Sequence, residues 1–201
     1  MAAQKGGEVM DIQIKDLSHR FGEKLVFSHF DLMLQDGGLY GLTAPSGRGK
    51  TTLLRILMGL LTPDAGTLPQ GVRYSAVFQT DRLLPGRSAV DQLLFVRGGK
   101  KDRAEAARFL AGLLPENSLN QPVGELSGGM QRRVAIARAL WAESDAVLMD
   151  EPFTGLDEAT LRQTADFILA KRQGRTLLLS THQKELLEAY HFTWLTLPPI
   201  L

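Results

Sequence analysis

The chain has 201 residues, of which 44% are hydrophobic and 22% are charged, a composition able to form the core of one compact domain. The formal net charge is +1, from 23 basic and 22 acidic residues, so the charge balance gives no sign of a nucleic-acid-binding surface. The absence of cysteine excludes disulfide scaffolds and thiolate metal sites and is compatible with a reducing compartment.

The N-terminal segment 1–7 has no apolar stretch, so we do not expect a signal peptide. The longest apolar stretches, such as 53–61, are far shorter than the ~20 residues that a membrane-spanning helix requires. We therefore expect any role at a membrane to depend on a partner protein.

Apolar runs bounded by turn residues alternate along the chain with helical patterns, which is typical of an α/β fold. In chain order, strands are predicted at 11–17, 27–34, 39–43, 76–78, 146–149, 176–179 and 193–197. Helices are predicted at 50–61, 100–114 and 130–141. The helix at 100–114 lies in a mostly helical segment that runs from about 88 to 124. The strands at 146–149 and 176–179 are continuously apolar, which predicts a buried parallel sheet.

A glycine-containing loop follows the strand predicted at 39–43 and opens the helix predicted at 50–61. Its residues are Ala44, Pro45, Ser46, Gly47, Arg48, Gly49, Lys50, Thr51 and Thr52. The glycines let successive N–H groups point at phosphate oxygens, and the helix N-terminus adds partial positive charge. Lys50 is expected to reach the β- and γ-phosphates, and the Thr51 hydroxyl to bind Mg²⁺. The pattern usually begins with glycine, and Ala44 fits if its φ angle is negative.

Two acids, Asp150 and Glu151, end the strand predicted at 146–149. The carboxyl end of a buried parallel strand is where open α/β folds bind ligands. Asp150 is placed to hold Mg²⁺, and Glu151 to orient or deprotonate the water that attacks the γ-phosphate. Such a pair alone is more often the start of a solvated loop, and the upstream lysine loop favours the catalytic interpretation.

A second candidate anion site precedes the helix predicted at 130–141. Ser127, Gly128 and Gly129 place a capping hydroxyl and two glycines at a helix N-terminus. A simple turn between two helices is the alternative. Two phosphate-binding helix starts in a chain with one nucleotide loop make sense if two copies of the chain share the sites.

With its Leu126-Ser127-Gly128-Gly129 element, the sequence resembles the nucleotide-binding domain of ABC transporters from about residue 11 to 197. The resemblance implies a P-loop NTPase (RecA-like) fold, with a mostly parallel sheet flanked by helices, a small N-terminal antiparallel β region and an inserted helical subdomain. It implies a single domain over 1–201, with a core at about 9–87 and 140–201 and the helical subdomain at about 88–139.

The resemblance also gives roles to four more residues. Phe21 matches the aromatic residue that stacks on adenine, although it could be a plain core residue. Gln79 matches the glutamine that binds Mg²⁺, senses the γ-phosphate and couples to the membrane subunit. Asp157 matches a loop that touches the opposite subunit at the nucleotide. His182 matches the histidine that contacts the γ-phosphate, whereas a lone histidine is usually structural.

The resemblance implies an ATPase that uses ATP and Mg²⁺ and works as a head-to-tail dimer with itself or a similar subunit. In each site, one chain supplies the loop 44–52 with Asp150, Glu151 and His182, and the other supplies Ser127–Gly129. The implied partners are membrane permease subunits and, for an importer, a solute-binding protein. The resemblance places this chain in the cytoplasm, bound peripherally to the cytoplasmic face of the membrane. The amino-acid sequence of segment 79–85 is similar to the corresponding segment of nitrate, sulfonate and taurine importers.

Two departures from the family's pattern are the compressed interval between Leu61 and Ala76 and the end of the chain soon after Leu197. The first is expected to trim the antiparallel β region. The alternatives are a soluble ABC ATPase acting on nucleic acid or ribosomes, a P-loop kinase or GTPase, and a non-catalytic binding module. The single cassette and the absence of a heptad repeat disfavour the soluble ABC ATPase. The lack of a guanine-reading motif disfavours the GTPase. The full set of acids together with His182 disfavours the non-catalytic module.

Overall fold

The computed structural model describes residues 10–45, 47–97 and 102–198. In chain order the strands and α-helices of these residues are β1 (Ile12–Phe21), β2 (Lys24–Leu34), β3 (Leu39–Thr43), α1 (Lys50–Leu57), β4 (Ala65–Thr67), β5 (Tyr74–Val77), α2 (Ala89–Val96), α3 (Arg103–Leu110), α4 (Gly128–Trp141), β6 (Ala146–Asp150), α5 (Glu158–Lys171), β7 (Thr176–Ser180), α6 (Lys184–Ala189) and β8 (Thr193–Thr196).

Five strands form a parallel sheet in the order β5-β6-β7-β3-β8. Every residue of β6 and β7 is buried, which confirms the predicted parallel strands. The reason is that both faces of the sheet are covered. Along β6, Ala146 and Leu148 pack in a core with α1 and the antiparallel strands, whereas Val147 and Met149 pack in a core with the helices on the opposite face. The carboxyl ends of β3, β6 and β7 therefore meet at one edge.

The remaining strands form a small antiparallel sheet in the order β2-β1-β4. β1 runs on to Phe21, and β2 begins at Lys24, so both are longer than predicted. Register shifts interrupt the pairing of β1 with β2, and Asp16 and His29 have positive φ angles of 55° and 50°. These irregularities break the strict alternation of apolar and polar side chains, which is why the strands predicted from that alternation are shorter than β1 and β2.

Helix α1 is shorter than the prediction of 50–61 and ends at Leu57. Gly59 has a φ angle of 68°, and its N–H donates to Ile56 O while the N–H of Leu60 donates to Arg55 O. This pair of hydrogen bonds is the Schellman motif, which terminates the helix although Leu61 still fits the helical period.

The predicted helix 100–114 was also too long, because α3 ends at Leu110, and residues 100–101 lie outside the described residues. Helix α4 begins at Gly128, two residues before the prediction, because Ser127 caps it. Strand β5 begins at Tyr74, two residues before the predicted start. Strand β8 ends at Thr196, one residue before the predicted end. Helices α2, α3 and α4 lie between β5 and β6 in the chain and form the helical part of the fold. None of the helices in the described ranges is both long and apolar enough to cross a bilayer.

Candidate functional site

The loop between β3 and α1 turns sharply at two glycines. Gly47 has a φ angle of 77° and Gly49 one of 90°. A Cβ at Gly49 would lie 2.8 Å from Val26 Cγ1 and 3.0 Å from Phe27 Cζ, so the loop packs directly on β2 and only glycine fits there. Ala44 is not among the residues with positive φ, so its methyl group causes no backbone strain. Ser46 lies outside the described residues.

The side chain of Lys50 lies within this loop. The residue is only 8% exposed, and its Nζ donates a hydrogen bond of 2.6 Å to the carbonyl oxygen of Ala44. The first helical hydrogen bond of α1 runs from Leu53 N to Gly49 O at 2.8 Å, so the N–H groups of the preceding residues face outward from the helix start. A buried ammonium group beside free helix N–H groups makes this a site for a polyanion.

A cleft of about 430 Å³ opens at this edge of the parallel sheet. It is lined by the loop residues 47–52 together with Gln79, Asp150, Glu151, Thr154 and His182. The structure therefore brings together the phosphate loop, the two acids, the glutamine and the histidine that the sequence singled out. Thr154 is an addition that the sequence did not reveal.

Asp150 lies at the floor of the cleft and is 5% exposed. Its Oδ2 accepts a hydrogen bond of 2.6 Å from Thr51 Oγ1, and its Oδ1 accepts one of 2.6 Å from Ser180 Oγ. The carboxylate is thus fixed from α1 on one side and from β7 on the other. Ser180, which the sequence analysis did not identify, orients the acid.

Glu151 follows Asp150 with a φ angle of 49°, in the left-handed region. Its N–H lies 3.1 Å from Ser180 O and 3.0 Å from Ser180 Oγ, and these hydrogen bonds hold the turn at the end of β6. His182 Nε2 lies 3.2 Å from Glu151 Oε1. That oxygen is buried and, among the described residues, accepts no hydrogen bond of good geometry. A buried acceptor that faces the cleft is suited to hold a water molecule or a substrate hydroxyl.

The backbone that carries Gln79 is held by helix α4. Arg132 donates to Phe78 O at 2.6 Å and to Gln79 O at 2.7 Å, and Arg138 donates to the carbonyl groups of Asp81 and Arg82. Burial raises the pKa of Asp81 in this segment, and the charges of Arg132 and Arg138 oppose that rise. Burial also lowers the pKa of Arg138. The sequence analysis missed both arginines because nothing local marks their distant partners.

Ser127 is the N-cap of α4, and its Oγ accepts a hydrogen bond of 3.3 Å from Met130 N. A Cβ on Gly128 would meet no atom within 4 Å, so the helix start is open to an approaching group, and one on Gly129 would lie 3.3 Å from Leu156 Cδ2. Neither the serine nor the glycines line the cleft described above. Residues 127–129 therefore begin α4 as predicted but do not line the chain's own cleft, and their binding of an anion stays a prediction.

Asp157 and Phe21 also lie outside the cleft. Asp157 caps α5, where the N–H and the hydroxyl of Thr160 donate to its carboxylate at 2.9 and 2.7 Å and hold its pKa below the ordinary value. Phe21 is 51% exposed at the end of β1, with its ring edge-on to His19 at a centroid distance of 4.7 Å. The exposure argues against the plain core interpretation of Phe21. The nucleotide contacts of both residues stay predictions.

The cleft fits a magnesium ion bound mainly through phosphate. Thr51 Oγ1 and Asp150 Oδ2 lie next to each other, and both are hard oxygen ligands. No group of at least three histidine, cysteine or acidic residues that could hold a metal occurs in the part of the chain that the structure describes. Mg²⁺ needs no such cage, because it binds to one or two protein oxygens, substrate phosphates and water.

Comparisons with known proteins agree with this arrangement. The ABC transporter family model matches residues 27–154. The chain is 37% identical over 197 residues to the Nod factor export ATP-binding protein I of Burkholderia orbicola, with 88% of this chain and 64% of that protein covered. It is 37% identical over 178 residues to the aliphatic sulfonates import ATP-binding protein SsuB 1 of Nocardia farcinica, with coverages of 87% and 73%. The chain thus spans slightly less than two thirds of the first of these relatives.

The fold also matches solved structures. The ADP conformation of an ATP-binding cassette of an ABC transporter superposes with a TM-score of 0.79 at 21% sequence identity, over 97% of this chain and 90% of the other. This likeness supports the α/β fold with its parallel sheet, antiparallel β region and helical insertion. From the matched family model and the 37% identical relatives, we conclude that the chain belongs to the ABC transporter family of ATP-binding subunits.

Proposed function

We propose that the chain binds and hydrolyses ATP with Mg²⁺ and thereby drives substrate movement through a separate membrane permease. The observation that carries this proposal is that one cleft of about 430 Å³ brings together Lys50, Gln79, Asp150, Glu151 and His182. A nucleotide-binding module without turnover would need the lysine and the loop, but not an acid and a histidine aimed at the same space.

The phosphate end of ATP fits the loop 47–52. Lys50 exchanges its hydrogen bond to Ala44 O for contacts with the β- and γ-phosphates, and the helix N–H groups bind the remaining oxygens. Thr51 and Asp150 would hold Mg²⁺, and Gln79, which lines the same cleft, would contact the metal and the γ-phosphate. The metal neutralises the charge that develops on the phosphate oxygens during transfer.

Glu151 orients or deprotonates the attacking water. Its Oε1 is a buried acceptor that the described part of the protein leaves without a hydrogen bond, so it can accept one from water. His182 is 60% exposed at 3.2 Å from that oxygen and can donate to the γ-phosphate from the same side. Both side chains are anchored at the ends of adjacent strands, which keeps their separation fixed.

We further propose that two copies, or one copy and a similar subunit, assemble head to tail. The start of α4 at Ser127–Gly129 is an open helix N-terminus that does not line its own chain's cleft, so a second chain would be required to bring it to a nucleotide. Phe21 would stack on adenine, and Asp157 would lie at the interface. The γ-phosphate then stabilises the closed dimer, and its loss releases the two subunits.

The replacement of Glu151 by glutamine tests the hydrolytic role. We expect Glu151→Gln to bind ATP as the wild type does and to lose about 10²–10⁴-fold in kcat, because general base catalysis contributes that much. Glu158→Gln, an exposed change on α5, is the matched control and should keep full turnover. Phosphate release and equilibrium binding of ATP are measured side by side, and an unimpaired kcat in Glu151→Gln contradicts the proposal.

For the direction of transport we propose import. The support is the import function in the name of the sulfonate relative and the similarity of segment 79–85 to importers. Export is the second candidate, since the other relative at 37% identity is named for export. The chain reconstituted with its permease in vesicles, with ATP on the ATPase side, separates the two: labelled substrate accumulates on the ATP side for import and leaves it for export. Isolation with ribosomes or nucleic acid instead of a permease would support the soluble alternative.

A further inference from the structure

Helix α4 holds the segment that carries Gln79 by its backbone. Arg132 donates from Nη1 to Phe78 O at 2.6 Å and from Nη2 to Gln79 O at 2.7 Å. Arg138 donates to Asp81 O and Arg82 O, both at 2.9 Å. The carbonyl groups on both sides of Gln79 are therefore bonded to one helix.

The contact of Arg132 is buried and charged. Its side chain is 9% exposed, and Nη1 also lies 2.9 Å from Asp81 Oδ1, whose side chain is 20% exposed. Within the segment, the guanidinium of Arg82 stacks over the ring of Phe78 at 4.0 Å from its centroid. The segment after β5 belongs to no helix or strand, so its carbonyl groups have no regular hydrogen-bond partners. The planar guanidinium replaces those partners and fixes the segment to α4.

We propose that Arg132 is a positioning residue that fixes Gln79 to helix α4, so that the place of the Gln79 side chain in the cleft follows the position of that helix. The inference rests on the proposed function, in which Gln79 contacts Mg²⁺ and the γ-phosphate. Ser127 caps the same helix five residues earlier, at the anion site offered to the other subunit. One helix therefore connects the glutamine of its own cleft with the nucleotide of the neighbouring one.

Arg132→Lys tests this role while it keeps a positive charge beside Asp81, and Arg132→Ala removes the contact altogether. A lysine ammonium group cannot donate to two adjacent carbonyl groups in the fixed fork of a guanidinium. We expect the kcat of both variants to fall about tenfold or more below that of the wild type, because small displacements of a catalytic group have effects of that size. The Mg²⁺ concentration for half-maximal activity should rise. The affinity for ATP in EDTA should stay within about twofold of the wild type, since Lys50 and the loop are untouched.

A double-mutant cycle with Gln79→Ala distinguishes positioning from general support of the fold. If Arg132 acts through Gln79, its replacement in the Gln79→Ala background should change kcat by less than about twofold. Equal losses in both backgrounds overturn the proposal, and so does a wild-type kcat and Mg²⁺ dependence in Arg132→Lys.

Arg172→Lys is the matched control for loss of an arginine–carbonyl contact. Arg172 donates to Gly37 O at 2.8 Å and to Arg175 O at 2.7 Å, in a turn that does not line the cleft. This control should lower the melting temperature without a change in the Mg²⁺ dependence. A matching change in both variants shows that Arg132 only supports the fold. The kcat of Glu151→Gln tests the hydrolytic function separately, so a failure of the proposed function can be distinguished from a failure of the proposal for Arg132.

Discussion

Thr51 and Asp150, 99 positions apart in the chain, are joined by a hydrogen bond of 2.6 Å from the threonine hydroxyl to Oδ2 of the aspartate. The threonine belongs to the first turn of α1, and the aspartate is the last residue of β6. The two oxygen ligands proposed for Mg²⁺ therefore lie side by side in the folded chain, and Ser180 holds the far oxygen of the carboxylate.

Asp150→Asn should abolish most of the Mg²⁺-dependent hydrolysis and leave ATP binding in EDTA intact. We expect kcat to fall by about 10²-fold or more, because metal stabilisation of the transferring phosphate contributes several kcal/mol. Asp36→Asn, in the exposed turn after β2, serves as the control. The measurement is phosphate release against Mg²⁺ concentration, and a variant with normal Mg²⁺ dependence would remove Asp150 from the metal site.

Lys50→Ala should weaken ATP binding. A charge-assisted hydrogen bond contributes about 1.5–3 kcal/mol, so the dissociation constant should rise by about 10- to 100-fold. Lys15→Ala, an exposed change on β1, should leave the affinity unchanged. Titration calorimetry with ATP compares the two. Equal affinity in both variants would mean that the loop binds phosphate without its lysine.

Gly49→Ala should destabilise the protein more than Gly59→Ala, although both glycines have positive φ angles. At Gly59 the added methyl group meets nothing within 4 Å, so only the backbone strain of about 1 kcal/mol is expected. At Gly49 the methyl group also collides with Val26 and Phe27, and the loss should reach about 2–4 kcal/mol. Urea unfolding gives both values, and similar losses would show that β2 moves aside to accommodate the methyl group.

The cap of α5 should make stability fall in acid. The hydrogen bonds from Thr160 lower the pKa of Asp157 from its ordinary 3.8, so the folded state keeps this carboxylate ionised at a pH where the unfolded chain takes up a proton. Its contribution is complete above the ordinary value and disappears as the pH falls through the lowered one. Urea midpoints between about pH 6 and pH 3 should decline less steeply for Asp157→Asn, because asparagine caps the helix without titrating. Identical slopes would assign the acid sensitivity to other groups.

Features that depend on adjacent residues were predicted well from the sequence. The phosphate loop, the acids at 150–151 and strand β3 are local patterns, and the structure places them as expected. The end of α1 was missed because Leu61 fits the helical period, whereas the hydrogen bonds at Gly59 decide the boundary. Arg132 could not be recognised, since its carbonyl partners are 54 and 53 residues away and a backbone oxygen has no sequence signature. The nucleotide contacts of Ser127 and Asp157 require a second chain, and these contacts and the adenine contact of Phe21 stay predictions.

Glu151 has a consequence for how such chains change over time. Its φ angle of 49° is a conformation that costs a residue with a Cβ about 1–2 kcal/mol and costs glycine almost nothing. The carboxylate therefore lies at a position whose backbone conformation favours glycine, so the chain gives up some stability to place it in the cleft. In a duplicated gene whose product merely holds nucleotide, drift at this position should favour glycine or asparagine, and the protein should gain thermal resistance as it loses its chemistry.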